Sequence, residues 1–183
     1  MDRLCQLWAL EQPDRVMTIV RPSIVFGPTV DNYISRSWKN SSFMPILDGV
    51  DCEYQLVHED DVVSALIGLL DAKAEGAFNV GGDGTLTWRE SAEMIGLKTR
   101  VMSMKTTYRI YSAAWALHVP RVESPPGNLA FIRYPWVVSN EKLKAEIDWQ
   151  PSADTREVFV ETMYAQGLIA TPPQRTPAPT AAT

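Results

Sequence analysis

The stretch QLVHEDDV at residues 55–62 decides the fold, because it places a short strand directly ahead of a helix. The composition of residues 53–57 predicts the strand. The acidic run at residues 59–61 supplies negative charge for the exposed N–H groups of a helix start, and we expect Asp61 to cap that helix. The sequence therefore predicts a strand-to-helix junction at His58.

Strands and helices alternate on both sides of this junction. Upstream, apolar residues at helical spacing over residues 2–11 precede a β-prone run, VMTIV, at residues 16–20. Downstream, residues 76–80 predict another strand. Further helices are predicted from Trp88 onward, over residues 108–119, over residues 140–147 and over residues 155–166. This alternation favours an α/β layered fold.

The number of strands evident in the sequence is small. Only about three are convincing, and the segment from Gly27 to about Asp51 is predicted to be irregular, whereas sheets typically hold roughly 4 to 6 strands. We therefore expect residues 1–170 to form part of a larger sheet. Residues 171–183, which are dominated by Pro, Thr and Ala without periodicity, predict a disordered tail.

Composition and charge exclude several classes of protein. The net charge of -5, without a basic stripe, gives no reason to expect a nucleic-acid partner. Cys5 and Cys52 lack CxxC spacing and a nearby His cluster, so we expect neither a metal site nor a disulfide framework, and a cytoplasmic location. No apolar run approaches the roughly 20 residues needed to cross a membrane.

Three segments, in order, match motifs of one enzyme family. Residues 21–28, RPSIVFGP, are similar to R-P-x-x-[VI]-[YF]-G-P, and residues 55–62 are similar to Q-F-V-H-V-D-D-V. Residues 76–82, GAFNVGG, are similar to G-x-Y-N-V-G-G, and residues 142–151 resemble a closing K-x-x-x-x-L-G-W-x-P with Asp148 in place of Gly. The chain thus resembles the carboxy-terminal half of the NAD-dependent epimerase/dehydratase family, which are extended short-chain dehydrogenases/reductases.

The resemblance implies a partial Rossmann-like parallel sheet with a small substrate-binding α/β subdomain. Family members hold NAD or NADP with a glycine-rich turn near the amino terminus and transfer protons with a Tyr and a Lys spaced Y-x-x-x-K. Neither motif occurs here, since residues 81–84, GGDG, predict only a tight turn and no Tyr has a Lys four residues later. By resemblance the catalytic Lys lies just upstream of Met1. We therefore expect no catalytic residue in this chain, at most weak NAD(P) binding and no turnover by the chain alone.

The resemblance also implies which residues of this chain face the cofactor. In the family, the residues after the R-P pair approach the nicotinamide, and the matching positions here are Pro22, Ser23 and Ile24. The alternative is that Pro22 only ends a strand and that Ile24 packs in the core.

Four further residues match regions of the family that face a nucleotide-sugar or similar substrate: Asn32, Arg36, Gln55 and His58. For Arg36 the alternative is a solvated surface charge. For His58 it is a structural hydrogen-bonding role, which is the more frequent role of a lone His.

The leading hypothesis is a segment of an NAD(P)-dependent epimerase, dehydratase or reductase acting on a nucleotide-sugar or related carbonyl substrate. The complete protein is expected to be a homodimer. A non-catalytic binding or scaffold protein derived from this family is the alternative from another class. A third alternative is a single-domain protein that resembles the family by chance.

Overall fold

Short strands and helices alternate along a computed structural model of the chain, which describes residues 2–12, 14–120 and 122–171. The strands are β1 (Thr18–Pro22), β2 (Ile24–Phe26), β3 (Met44–Leu47), β4 (Glu53–Tyr54), β5 (Leu56–His58), β6 (Gly76–Val80), β7 (Leu86–Thr87) and β8 (Thr99–Met102). The α-helices are α1 (Asp2–Glu11), α2 (Tyr33–Asn40), α3 (Glu59–Asp71), α4 (Trp88–Met94), α5 (Met104–Ala116), α6 (Ala130–Arg133), α7 (Glu141–Ile147) and α8 (Thr155–Ala165). A 3₁₀ helix at Pro126–Leu129 precedes α6.

The strands form pairs that are mostly parallel. β1 pairs with β6, β2 with β5 and β3 with β8, all in parallel, while β4 pairs with β7 in antiparallel orientation. Parallel pairs need crossover connections, which the helices provide. This mixed α/β arrangement confirms the predicted fold class.

Several predicted elements differ from the structure. The strand at residues 76–80 and the helix at residues 2–11 are confirmed, but the strand predicted at 16–20 lies at Thr18–Pro22. The prediction of an irregular segment from Gly27 to about Asp51 is wrong, because α2 and β3 lie there. The estimate of about three strands is also wrong, because the described residues form eight. Strands of three or four residues are too short to show periodicity in the sequence. The predicted tail lies outside the described residues except for Thr171.

Two apolar clusters hold the layers together. One packs α8 and α4 against β2, β3 and β5, with Phe26, Trp38 and Phe159 among its buried side chains. The other packs α3 and α7 against β1 and β6 and includes Phe78 and Leu143. The junction at residues 55–62 supplies buried residues to both clusters, so it joins the two halves of the core.

The cap of α3 differs from the expected one. His58 is the N-cap residue, and its Nδ1 accepts a hydrogen bond from the Asp60 N–H at 3.2 Å. Asp61 is buried instead, and its carboxylate accepts from the Ser152 N–H at 3.0 and 3.1 Å. The predicted cap at Asp61 is therefore wrong, because this carboxylate is held by the chain ahead of α8.

One edge of β1 has no partner strand. Met17 accepts a backbone hydrogen bond from β6 and Ser23 donates one to it, so the odd-numbered residues of this segment face β6. In a parallel pair the alternate residues point the other way, which directs the N–H and C=O groups of Thr18 and Val20 to the opposite edge. No described strand pairs with β1 at this edge.

Two helices also expose large apolar side chains. On α1, Leu4 is 68% exposed and Leu10 is 80% exposed. On α3, Leu70 is 76% exposed, and Val63, Leu66 and Ile67 are exposed as well. Apolar surface of this kind favours contact with further protein.

The open edge of β1 predicts that the chain self-associates. A charged residue beside this edge should reduce the self-association. Val16 is exposed just before β1, so Val16→Lys places a cation beside the unpaired groups, as edge strands commonly do. We expect a smaller concentration-dependent mass in sedimentation velocity with unchanged far-UV circular dichroism. Val119→Lys, at an exposed valine outside the β1–β6 sheet, is the matched control and should self-associate like the wild type. A wild-type chain that stays monomeric at high concentration would contradict the expectation.

Candidate functional site

The three predicted cofactor residues lie where β1 passes into β2. Pro22 ends β1 and is exposed, whereas Ser23 and Ile24 are 5% and 3% exposed. The Ser23 N–H donates to the Val80 carbonyl at 2.8 Å, and its buried Oγ has no hydrogen-bond partner among the described residues. Open α/β sheets bind dinucleotides at the carboxyl ends of their strands, so Pro22 fits a position beside a cofactor. The side chains of Ser23 and Ile24 face the interior, and the three contacts stay predictions.

Asn32 organises the loop ahead of α2. Its side-chain oxygen accepts from the N–H groups of Ile34 and Ser35 at 3.0 and 2.9 Å, and its Nδ2 donates to the Val25 carbonyl at 3.0 Å. The oxygen and the nitrogen of this amide are therefore both hydrogen-bonded to backbone groups of the elements that flank the loop. A substrate contact by Asn32 stays a prediction.

Gln55 bridges two segments that no sheet connects. Its Nε2 donates to the Gly82 carbonyl at 2.6 Å and its Oε1 accepts from the Val138 N–H at 3.0 Å, with only 5% of the residue exposed. A Cβ atom at Gly81 would lie 2.7 Å from Gln55 Oε1, and one at Gly82 would lie 2.5 Å from the Leu56 carbonyl oxygen. The two glycines thus serve close packing against β5.

His58 is held on both sides of its ring. It is 1% exposed, and in addition to its Nδ1 contact with the α3 backbone its Nε2 lies 3.3 Å from Glu161 Oε2. Because Nδ1 accepts a hydrogen bond, Nε2 carries the ring proton and donates toward Glu161. These contacts support the structural alternative for His58, and its substrate contact stays a prediction.

Arg36 is engaged by two carboxylates. Its Nε and NH2 lie 2.7 and 2.6 Å from Glu123 Oε2, and its NH1 lies 2.8 Å from Asp31 Oδ1. Hydrogen bonds to Glu123 and then to Asp31 raise the pKa of Arg36 above its ordinary value. An anionic ligand would have to compete with both carboxylates for this guanidinium.

Next to this ion pair lies a cavity of about 380 Å³, bordered by α2, β3, α5 and the 3₁₀ helix with α6. Such a volume is within the range of small-molecule sites. Its aromatic lining residues are Tyr33, Phe43, Trp88, Tyr111, Phe131 and Trp136. Sequence reasoning missed this pocket, because its residues come from separate elements and share no spacing.

The aromatic walls of the pocket are fixed by stacking. Trp136 stacks on Phe131 with ring centroids 4.3 Å apart, and Trp88 stacks on buried Tyr54 at 4.2 Å. Burial, together with the nearby Tyr111, raises the pKa of Tyr33 above its ordinary value, so its phenol stays protonated at neutral pH. The pocket therefore offers flat apolar walls with neutral hydroxyl groups.

The described residues hold neither a cluster of metal ligands nor a membrane-spanning helix. They contain no group of three or more His, Cys, Asp or Glu side chains able to hold a metal ion. In the same part of the chain, no helix is long and apolar enough to cross a membrane.

Sequence comparison finds distant relatives. No protein-family model matches the chain. An uncharacterised protein of Mycobacterium tuberculosis is 27% identical over 157 residues, which cover 86% of this chain and 41% of that protein. The chain thus spans less than half the length of this relative.

Solved structures share the fold. The dTDP-glucose 4,6-dehydratase of Bacillus anthracis in complex with NAD aligns with a TM-score of 0.61 and 15% identity, covering 91% of this chain and 49% of that one. A UDP-galactose 4-epimerase aligns with a TM-score of 0.58 and 15% identity, covering 91% of this chain and 50% of that one. The chain therefore has the fold of NAD-dependent epimerases and dehydratases over about half their length. This confirms the resemblance carried by its motifs.

The two hydrogen bonds of the Gln55 side chain predict that a nonpolar substitution at this position lowers the free energy of unfolding. Gln55→Leu leaves a buried carbonyl at Gly82 and a half-buried N–H at Val138 without partners, so we expect a loss of about 2 kcal/mol in the free energy of unfolding. Urea unfolding followed by tryptophan fluorescence measures it. Gln150→Leu, at an exposed position, is the control and should change little. Equal stability of the two variants would contradict the bridge.

Asp83, in the loop after β6, is tied to α7. Lys144 Nζ donates to its carboxylate at 2.8 and 3.0 Å, and Asn140 Nδ2 donates at 3.1 Å. Burial acts to raise the pKa of Asp83, but the hydrogen bonds from Lys144 and Asn140 outweigh it and hold the pKa below its ordinary value.

This lowered pKa predicts a pH-dependent contribution to stability. The contribution is present above the ordinary carboxyl pKa of about 3.9 and is lost as the pH falls through the lower folded-state pKa. We expect Asp83→Asn to lower the urea midpoint at pH 7 and to flatten the decline in stability below about pH 4. Asp14→Asn, at an exposed carboxylate, should leave both unchanged. An identical acid decline in Asp83→Asn and the wild type would refute the assignment.

Proposed function

We propose that this chain is the carboxy-terminal part of an NAD(P)-dependent epimerase, dehydratase or reductase acting on a nucleotide-sugar or related carbonyl substrate. The observation that carries the proposal is the alignment of 91% of the chain with about half of a dehydratase solved with NAD. The order of the three motifs supports its place in the second half.

The open edge of β1 supports the same proposal. The unpaired groups of Thr18 and Val20, with the exposed apolar side chains of α1 and α3, suit a surface that receives the rest of a larger sheet. An amino-terminal half carrying the glycine-rich turn and the Y-x-x-x-K helix would supply that sheet. We propose that activity requires both halves.

In such an enzyme the nicotinamide cofactor supplies hydride transfer when it is bound. Pro22, exposed at the carboxyl end of β1, would border the cofactor. Asn32 and Gln55 would hold the neighbouring loops in place, and the aromatic pocket would hold part of the substrate. Proton transfer would depend on the Tyr and Lys of the other half.

We further propose a cytoplasmic location and a homodimeric complete protein. Cys5 and Cys52 are free thiols, and buried Cys52 Sγ donates to the Arg133 carbonyl at 3.0 Å. Free thiols suit a reducing compartment.

The test compares residues 1–183 alone with a chain in which an in-frame amino-terminal half carrying both motifs precedes α1. We expect turnover of nucleotide-sugars or related carbonyl compounds, with a transient change in nicotinamide absorbance, only from the longer chain. Replacing the Tyr of its Y-x-x-x-K pair with Phe should lower turnover about 10²- to 10⁴-fold, the usual contribution of acid–base catalysis.

Two outcomes would contradict the proposal. Robust turnover by residues 1–183 alone would show that the missing pair is not needed. An upstream reading frame without either motif, together with ligand binding by the chain, would favour the binding or scaffold protein instead.

A further inference from the structure

The aromatic pocket has a lining with little charge. Of its described lining residues none is Lys, Arg or His, and the single carboxylate is that of Glu123. Recognition of phosphate groups in proteins relies on Arg or Lys side chains, or on exposed backbone N–H groups at helix starts. A nucleoside diphosphate bound here would bury charge without a matching cation, which is costly.

One described cation beside the pocket, that of Arg36, is already paired with carboxylates. Glu123 lines the pocket and accepts a hydrogen bond from Arg36. Asp31 accepts another hydrogen bond from the same guanidinium. For Arg36 to bind a phosphate, two charge-assisted hydrogen bonds would have to break. The cluster of Arg36, Glu123 and Asp31 therefore has a net charge of -1, which disfavours an anion at this side of the pocket.

The walls suit a flat apolar group. Trp136 and Phe131 present stacked rings, Trp88 is fixed by its stack on Tyr54, and Met44 adds an aliphatic surface. Aromatic rings gain from offset or edge contacts with other rings. The hydroxyl of Tyr33 is available to donate a hydrogen bond to an oxygen on the same ligand, while that of Tyr111 is shared with Ser124 Oγ at 3.2 Å.

We infer that this pocket binds the uncharged, apolar ring portion of a carbonyl substrate and excludes nucleoside diphosphates. The inference rests on the proposed function only in taking the ligand to be the substrate of the hydride transfer. It narrows the substrate class from nucleotide-sugars to related carbonyl compounds that carry no phosphate.

The experiment is a binding titration of the 183-residue chain, which needs no turnover. The fluorescent probe is N-phenyl-1-naphthylamine, which is uncharged and aromatic, and the competitors are 1-tetralone, UDP and UDP-glucose. We expect saturable binding of the probe, displacement by 1-tetralone, and no displacement by UDP or UDP-glucose at equal concentrations.

Three variants locate the binding. Ser37 lines the pocket on α2, so Ser37→Phe fills it and should weaken probe binding about tenfold or more, as loss of fit in an apolar pocket does. Lys39→Phe adds the same side chain on the same helix outside the lining and should bind like the wild type. Leu66→Lys, on the exposed face of α3, should also leave the saturable component unchanged, which separates the pocket from other apolar surface.

Each result decides a different point. Displacement of the probe by UDP or UDP-glucose more readily than by 1-tetralone would overturn the inference while supporting a nucleotide-sugar substrate. Absence of saturable binding, or equal loss in Ser37→Phe and Lys39→Phe, would overturn the inference and leave the proposed turnover by the longer chain intact. Loss of binding in Leu66→Lys alone would place the probe on α3 and would also overturn it.

Discussion

The backbone hydrogen bonds of β1 are the constraint on which the rest of the structure depends. The N–H and C=O groups of a strand need hydrogen-bond partners at both edges, and β1 has them at one edge through its pairing with β6. On the other edge the groups of Thr18 and Val20 alternate with those bonded to β6, and the next residue in this alternation is Pro22, which has no N–H to satisfy. The open edge of the sheet and the carboxyl end where open α/β sheets bind dinucleotides therefore meet at one residue.

On the other side of the core, the side-chain amide of Gln55 links two segments that no described strand pair connects. Gln55 interrupts the run between β4 and β5, and its amide joins the glycines after β6 to the segment after α6. The backbone of the same segment is fixed too, because Trp136 donates to Glu53 and accepts from the Gln55 N–H, each at 3.0 Å. Trp136 is a wall of the aromatic pocket, so the motif that decides the fold also places the ligand-binding surface.

Local signals in the sequence predicted some elements and could not predict others. The helix from Trp88, the helix over residues 155–166 and the strand at residues 76–80 are each signalled within a few residues, and the structure has all three elements as α4, α8 and β6. The cap of α3 depends on tertiary contacts, since Asp61 is held by Ser152 and leaves His58 to accept the hydrogen bond. β2, β3 and β8 are too short to show a period, and the pocket assembles aromatic residues that are far apart in sequence.

Several described cations of the chain are paired with its own carboxylates, and this bears on which ligands the chain can recognise. Arg36 is neutralised by Glu123 and Asp31, and Lys144 by Asp83. A fold shared with nucleotide-sugar enzymes does not fix the ligand, because function depends on the site rather than on the fold. If hydride transfer comes from the cofactor, the substrate pocket can change its chemistry without changing the reaction. Because these cations are held by carboxylates of the chain, ligand selection in the aromatic pocket depends on shape and on neutral hydrogen bonds.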